Sequence, residues 1–446
     1  MRHPIGRALT AAAVGVILVA QPLSAVPARA TIGSPLDSKF CQAGQNVQIG
    51  PVQPSWANER LKADEVWSQR DAKQRPIRGA GIKVAVIDTG AQINVSPVLS
   101  LPPGAAGQSD EMLPKWDMID FVGDDNEILQ RGMDCSHATA VVGYINGQHV
   151  GGWNMGGMAP AAHVTVLRAL KGTQGNENHD AMVRALDYAI SQKFDIINIS
   201  QSGADHPAMK VAITRAIKSG IVVVAAAGNG GFKAGPSYPA AYEGVIAVGM
   251  TTKGGAAAPS SQADPRMEVS VAAPGEKVTL LQWSHPRANP NQDPAEYFQN
   301  RQGWGEGDGT SYATPMVSGV VALMLQQARA EGKNLTPAEV KQRLQQTADR
   351  PPGAVPDAQL GYGTVNPRGA VFGPFPKTQR TPPAPAPPVT AGPLPVPPPR
   401  DPLPVVIAVS AGAGALLLLL GGLVVREAIP AMRRRHYRPA RPDEDG

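Results

Sequence analysis

Two hydrophobic patterns alternate through the middle of the chain. Short apolar runs occupy Lys83–Ile87, Val164–Leu167, Ile196–Ile199, Ile221–Ala226 and Val245–Val248. An unbroken run of that length predicts a strand buried on both faces. Between the runs lie helical patterns. Ala181–Ser191 spaces Met182, Leu186 and Ile190 four apart, and Met209–Lys218 sets Val211 and Ile217 beside Ala212 and Ala216. A long apolar helix is predicted over Ser311–Ala330. Thr336-Pro337-Ala338-Glu339 is a capping box with proline at the first helical position, and Pro351-Pro352 ends the helix it starts. Strands alternating with helices predict an α/β fold with a mainly parallel sheet, whose site lies beyond the C-terminal ends of its strands.

The two ends follow other patterns. Met1–Arg7 is short and basic, Ala8–Ala20 is apolar, and Ala28-Arg29-Ala30 has the small-x-small form that signal peptidase reads. Residues 1–30 are therefore expected to be a secretory signal peptide. Val405–Val425 holds 21 residues without a charge, followed by Arg426, Arg433-Arg434-Arg435, Arg438 and Arg441. A span of about 20 apolar residues crosses a bilayer, and a basic flank marks the cytoplasmic side. Both signals place the body of the protein outside the cytoplasm and a basic tail, 426–446, inside. Residues 374–404 contain 14 prolines in 31 positions and read as a semi-rigid stalk. That leaves 31–79 as an N-terminal extension and 80–373 as the folded domain.

Charge adds one exclusion. The net charge of +5 resides in the signal segment and the tail, so residues 31–425 are neutral. A nucleic-acid surface needs a basic patch on a folded domain, and none is evident. Two cysteines, Cys41 and Cys135, exclude a four-cysteine zinc site. In an exported protein their default state is a disulfide. A zinc site built from Cys41, Cys135 and His137 lacks a fourth ligand, so no metal or other cofactor is expected. Asp124-Asp125-Asn126-Glu127 reads as a solvated acidic loop rather than a calcium site. Trp283, His285 and Trp304 fall in a stretch read as irregular, before Ser311, where they are candidates to line a cleft.

The chemistry concentrates at element ends. Asp88 follows KVAVI in Asp88-Thr89-Gly90, where rigid backbone could hold a carboxylate that orients a histidine. His137 opens a run of small and apolar residues. Ser311, in Gly309-Thr310-Ser311, opens a helix whose free N–H groups suit a developing oxyanion. Asn229, in Gly228-Asn229-Gly230, follows an apolar run and offers an amide donor. Each residue alone has a plain reading as a cap, a turn or a structural histidine. Together, Asp, His and Ser stand in the chain order of one convergent form of the catalytic triad.

Here the motifs carry a resemblance. VAVIDTG around Asp88, HATAVVG around His137, VVAAAGN ending at Asn229 and GTSYATPMVSGVVAL around Ser311 resemble the subtilisin-type serine proteases. Asn198-Ile199-Ser200, Tyr238-Pro239-Ala240-Ala241-Tyr242 and Val271-Ala272-Ala273-Pro274-Gly275 add to the match, in the family's order. The resemblance implies a three-layer subtilisin-like fold and the roles of nucleophile for Ser311, base for His137, orienting carboxylate for Asp88 and oxyanion donor for Asn229. It also implies a substrate edge at Ser200, Gln201, Ser202 and Gly203. The layout further resembles the mycosins, membrane-anchored proteases of actinobacterial type VII secretion systems. It implies a protein or peptide substrate, partners in the secretion machinery and a Cys41–Cys135 disulfide. Mycosins often carry two disulfides, whereas two cysteines allow one.

The chain departs from the usual His-Gly-Thr at His137-Ala138-Thr139, where alanine is strained only if the backbone there needs a positive φ. A rival reading from another class is a structural secretion-complex subunit with little turnover. A third, a peptide-binding module, would need a broken triad, and the sequence shows none.

Overall fold

A computed structural model describes residues 48–49, 55–91, 115–122, 136–148, 156–170, 178–283 and 302–373. The signal segment, the proline-rich tract, the apolar span at 405–425, Cys41, Cys135, Asp124–Glu127 and His285 lie outside the described residues. Among the described residues, no helix is long and apolar enough to cross a membrane.

The chain enters with β1 (Gln48–Ile49), α1 (Trp56–Leu61) and α2 (Ala63–Trp67). It then alternates through β2 (Lys83–Asp88), β3 (Lys115–Asp120), α3 (Ser136–Asn146), β4 (His163–Arg168), α4 (His179–Ser191), β5 (Ile196–Ile199), α5 (Pro207–Lys218), β6 (Val222–Ala226), β7 (Ile246–Thr251) and β8 (Val271–Pro274). It finishes with β9 (Val278–Trp283), β10 (Gln302–Gly307), α6 (Thr310–Ala330), α7 (Pro337–Thr347) and α8 (Pro367–Phe372). Seven strands form one sheet in the order β3-β4-β2-β5-β6-β7-β8, with every pairing parallel.

The apolar runs become strands because both faces of this sheet are covered. Successive side chains point to opposite faces, and β2 divides its residues accordingly. Val84 and Val86 join the core under α3 and α6, whereas Ala85 and Ile87 join the core under α4 and α5. The result is a three-layer α/β fold. The capping box at the start of α7 forms as the sequence predicts. Thr336 accepts from the Glu339 N–H, and the Glu339 carboxylate accepts from the Thr336 N–H at 2.8 Å.

Two parts of the fold differ from the sequence-based expectation. β3 lies at the sheet edge, and its sequence KWDMID mixes charge into the strand, so it lacks a continuous apolar run. The stretch before Ser311 is not irregular throughout. β9 and β10 pair antiparallel, and β1 from the N-terminal extension adds a third strand at Gly303 and Trp304. The glycine-rich sequence of β10, QGWGEG, hid the strand. Trp304 packs partly buried against the larger core.

Candidate active site

β2 sits where the strand order reverses, with β4 on one side and β5 on the other. Its last residue is Asp88, wholly buried. The carboxylate Oδ1 accepts from the Thr89 N–H at 2.7 Å and lies 2.8 Å from His137 Nδ1. That contact requires Nδ1 to carry the proton, so Nε2 is the basic nitrogen. The imidazole is itself largely buried, with 11% of its side chain exposed. Burial pushes its pKa down. The Asp88 charge and hydrogen bond outweigh this, so the net shift is upward.

His137 is the second residue of α3, and Ser311 is the second residue of α6. The two helices pack together. Gly319 lets α6 approach the segment that follows α3: a Cβ there would stand 2.6 Å from Met158 Cβ, and at an ordinary contact distance of 3.4 Å from the Ile145 carbonyl oxygen of α3. Ala138 lies inside α3, in right-handed helix, so alanine in place of the usual glycine carries no positive-φ strain. The Tyr312 ring, one residue past Ser311, lies 5.7 Å from the His137 ring, centroid to centroid. Burial, then Asp88 and Asp308, push its phenol up to about 12. It therefore stays neutral at neutral pH. Among the described residues no hydrogen bond joins the Ser311 hydroxyl to the imidazole. In catalytic pairs of this kind the contact commonly tightens only with substrate bound.

Asn229 is exposed beyond the end of β6. Its Oδ1 accepts from the Thr310 N–H at 2.9 Å and from the Thr310 hydroxyl at 3.0 Å. A backbone N–H can only donate, so these bonds fix the amide orientation and leave Nδ2 as the outward donor. Thr310 is buried, and its hydroxyl also accepts from the Gly228 N–H at 3.2 Å. Gly228 has φ +104°, and a side chain there would collide with Gln262. The Gly309 N–H donates to the Gly275 carbonyl at 2.8 Å, so the Val271–Gly275 motif supports the turn into α6. Thr310 lies in the GTS motif, but sequence reasoning gave it no role because its partner is 81 residues away.

The candidate substrate edge leaves β5 directly. The Ser200 side chain is buried, Gln201 is half-buried and Ser202 is exposed. Gly203 already pairs with Tyr238, through bonds of 2.8 and 3.0 Å in both directions. No backbone–backbone hydrogen bond engages Ser200, Gln201 or Ser202 among the described residues. Among the described residues, no group of acidic, histidine or cysteine side chains is arranged to hold a metal ion.

The N-terminal extension is fastened to this frame. Trp56 Nε1 donates to the Lys277 carbonyl at 3.0 Å, Asn58 Nδ2 to the Gly156 carbonyl at 2.7 Å and Trp67 Nε1 to the Met158 carbonyl at 2.8 Å. Gln326, buried on α6, accepts from the backbone N–H groups of Arg78, Gly79 and Ala80 at 2.9, 2.6 and 3.0 Å.

Residues 79–363 match the model of the Subtilase family, Peptidase S8. The major intracellular serine protease of Bacillus subtilis (strain 168) is 32% identical over 270 residues, covering 59% of this chain and 72% of that protein. Subtilisin E of the same organism is 32% identical over 274 residues, covering 60% of this chain and 61% of its own length. Among solved structures, MycP1 with its N-terminal propeptide removed superposes with a TM-score of 0.55 and 26% identity. That match covers 73% of this chain and 98% of MycP1. The sheet order, the buried Asp88–His137 pair and the family match agree: the chain belongs to the subtilase family and is a subtilisin-like serine endopeptidase.

Proposed function

We propose that the protein is a membrane-anchored, extracytoplasmic serine endopeptidase of the mycosin type, working with a type VII secretion machinery through an Asp88–His137–Ser311 triad. The observation that carries the triad is the 2.8 Å contact between the Asp88 carboxylate and His137 Nδ1. Asp88 holds the tautomer in which Nε2 accepts a proton. Ser311 Oγ attacks the peptide carbonyl as Nε2 takes its proton. The proton then passes to the leaving amine, and the resulting acyl-enzyme is hydrolysed by water through the same base. The Asn229 Nδ2 group and the Ser311 N–H receive the oxyanion. The substrate backbone lies along Ser200–Ser202 by strand addition. A fluorophosphonate probe should label Ser311 in the wild type and fail on Ser311→Ala. Ser311→Ala and His137→Ala should each abolish peptide turnover, and the double variant should be little worse, since the triad acts as a unit. Turnover by either single variant near the wild-type rate overturns the assignment.

The mycosin reading is supported by the match to nearly the whole of MycP1 and by the sequence layout. In it, residues 1–30 direct export, 374–404 form the stalk, 405–425 span the bilayer and 426–446 face the cytoplasm. Cys41 and Cys135 form a disulfide that fastens the extension beside His137. The partners are a protein or peptide substrate and membrane components of the secretion apparatus. Protease shaving of spheroplasts should degrade the extracytoplasmic domain and spare an epitope at Gly446. Loss of that epitope with survival of the domain reverses the topology.

A further inference from the structure

Three polar side chains lie buried in the apolar layer between α6 and the central sheet. The Ser318 hydroxyl donates to Asn198 Oδ1 at 2.8 Å, and Asn198 Nδ2 donates to Ser200 Oγ at 3.0 Å. Asn198 and Ser318 are wholly buried, and Ser200 is 1% exposed. Asn198 pairs in register with Val86 on one side and Val224 on the other. Its neighbours Ile197 and Ile199 face the opposite core, so Asn198 points toward α6. An apolar residue would fit this layer without the cost of burying an amide.

What the polar chain supplies is direction. Apolar packing tolerates small sliding of a helix over a sheet, whereas hydrogen bonds of 2.8–3.0 Å fix both rotation and translation. Its two ends are informative. Ser318 follows Ser311 by seven residues, about two turns, and therefore shares its helix face. Ser200 is the first residue beyond β5 and begins the substrate edge. The chain thus ties the helix that carries the nucleophile to the strand end that receives the peptide. The relation of Ser311 to His137 is set elsewhere, by the packing of α3 against α6.

We infer that Ser318, Asn198 and Ser200 are positioning residues that register the substrate edge against Ser311. The inference rests on the triad and strand-addition reading above. In a wild-type enzyme the scissile carbonyl is delivered to Ser311 Oγ by a peptide held on Ser200–Ser202. Breaking the chain loosens that edge and leaves the nucleophile, base and oxyanion donors in place. A displacement of the order of 1 Å between reacting atoms costs up to about 100-fold in rate. A slackened edge is expected to cost a part of that.

The test uses the full-length protein and three variants: Ser318→Ala, Ser318→Thr and Asn198→Asp. Two rates are compared: kcat on a peptide with at least three residues before the scissile bond, and the labelling rate of a small fluorophosphonate. The second needs the triad but not the edge. Ser318→Ala should lower kcat about 10-fold with KM within about 2-fold, and change the labelling rate by less than about 2-fold. Ser318→Thr, which retains the hydroxyl, should restore kcat. Asn198→Asp, which has no amide donor for Ser200, should follow Ser318→Ala. Equal losses in both rates would assign the chain a general structural role and overturn the inference, as would unchanged kcat in Ser318→Ala. Absence of labelling in the wild type overturns the triad reading, and this inference with it.

Discussion

Thr310 is expected to work entirely through Asn229, and that claim can be put on a scale. The Thr310 hydroxyl makes one of two bonds to Asn229 Oδ1, while the backbone N–H makes the other at 2.9 Å. Thr310→Val keeps the backbone bond and the side-chain shape. A neutral hydrogen bond contributes about 0.5–1.5 kcal/mol net, so kcat should fall by about 2- to 13-fold as the amide loses half of its anchorage. Asn229→Ala removes the donor itself. On the scale known for relatives of this fold, it should lower kcat by about 10²–10³-fold with little change in KM. The decisive variant is the double. With Asn229 gone there is no amide left to orient, so Asn229→Ala/Thr310→Val should fall within about 2-fold of Asn229→Ala alone. Thr310→Val also leaves the buried Gly228 N–H without its 3.2 Å acceptor, which lowers stability. Rates should therefore be referred to active enzyme counted by fluorophosphonate titration. A double variant whose loss equals the product of the single losses would show that Thr310 acts independently, and the positioning argument would be refuted.

Other outcomes follow from the same geometry. His137 must be unprotonated to act, and its pKa is raised, so kcat/KM should fall with decreasing pH through a midpoint above the ordinary imidazole value. Asp88→Asn removes the charge that raises it but not the burial that lowers it, so that midpoint should move down as the rate collapses; an unmoved midpoint refutes the assignment. Protonated His137 paired with Asp88 favours the fold below the ordinary value. That contribution disappears as pH rises through the folded-state pKa, so the stability gap between wild type and Asp88→Asn should narrow as pH rises through that value. Gln326→Leu strands the buried N–H groups of Gly79 and Ala80 and should lower unfolding free energy by on the order of 3 kcal/mol in urea titrations, with little effect on labelling of Ser311 in the folded fraction. Cys41→Ser/Cys135→Ser should lower the thermal midpoint, with a ceiling of about 4–5 kcal/mol from chain entropy. Peptide mapping under non-reducing conditions that finds two free thiols sinks the pairing.

The parallel sheet was legible because burial on both faces leaves its strands almost wholly apolar. Ile196–Ile199 needs no neighbour to be recognised, and its bounds in the fold are those read from the pattern. The edge strand Lys115–Asp120 and the Gln302–Gly307 strand were hidden for opposite reasons. The first interrupts its apolar residues with Asp117, half-buried beside His163, and Asp120, buried against Arg168. The second uses glycines so that other groups can approach, as at Gly307, where a Cβ would stand 2.5 Å from Leu280 Cδ1. Asp88, His137 and Ser311 could be picked out because each sits where an element ends or begins, and such positions are marked in the sequence by a change of pattern.

The remaining site residues lacked that mark. Thr310, Asn198, Ser318 and Gln326 draw their meaning from partners 81, 120 and up to 255 residues away. Ser318 reads as one small residue in a helix of small residues, and Asn198 reads as an interruption in an apolar strand. Only the fold puts the two side chains 2.8 Å apart and joins them to the residue that opens the substrate edge. A buried polar residue without a local reason is costly unless a distant partner satisfies it. The isolated asparagine in Ile196-Ile197-Asn198-Ile199 was therefore informative before its partner was known: it marked a point where the sheet is tied to something other than apolar packing. The same logic explains Gln326, an amide wholly inside the fold near the C-terminal end of α6. Midway along that helix the Ser318–Asn198–Ser200 chain ties it to β5, and near its C-terminal end Gln326 secures the segment that precedes β2, so α6 is held in register at two points by hydrogen bonds.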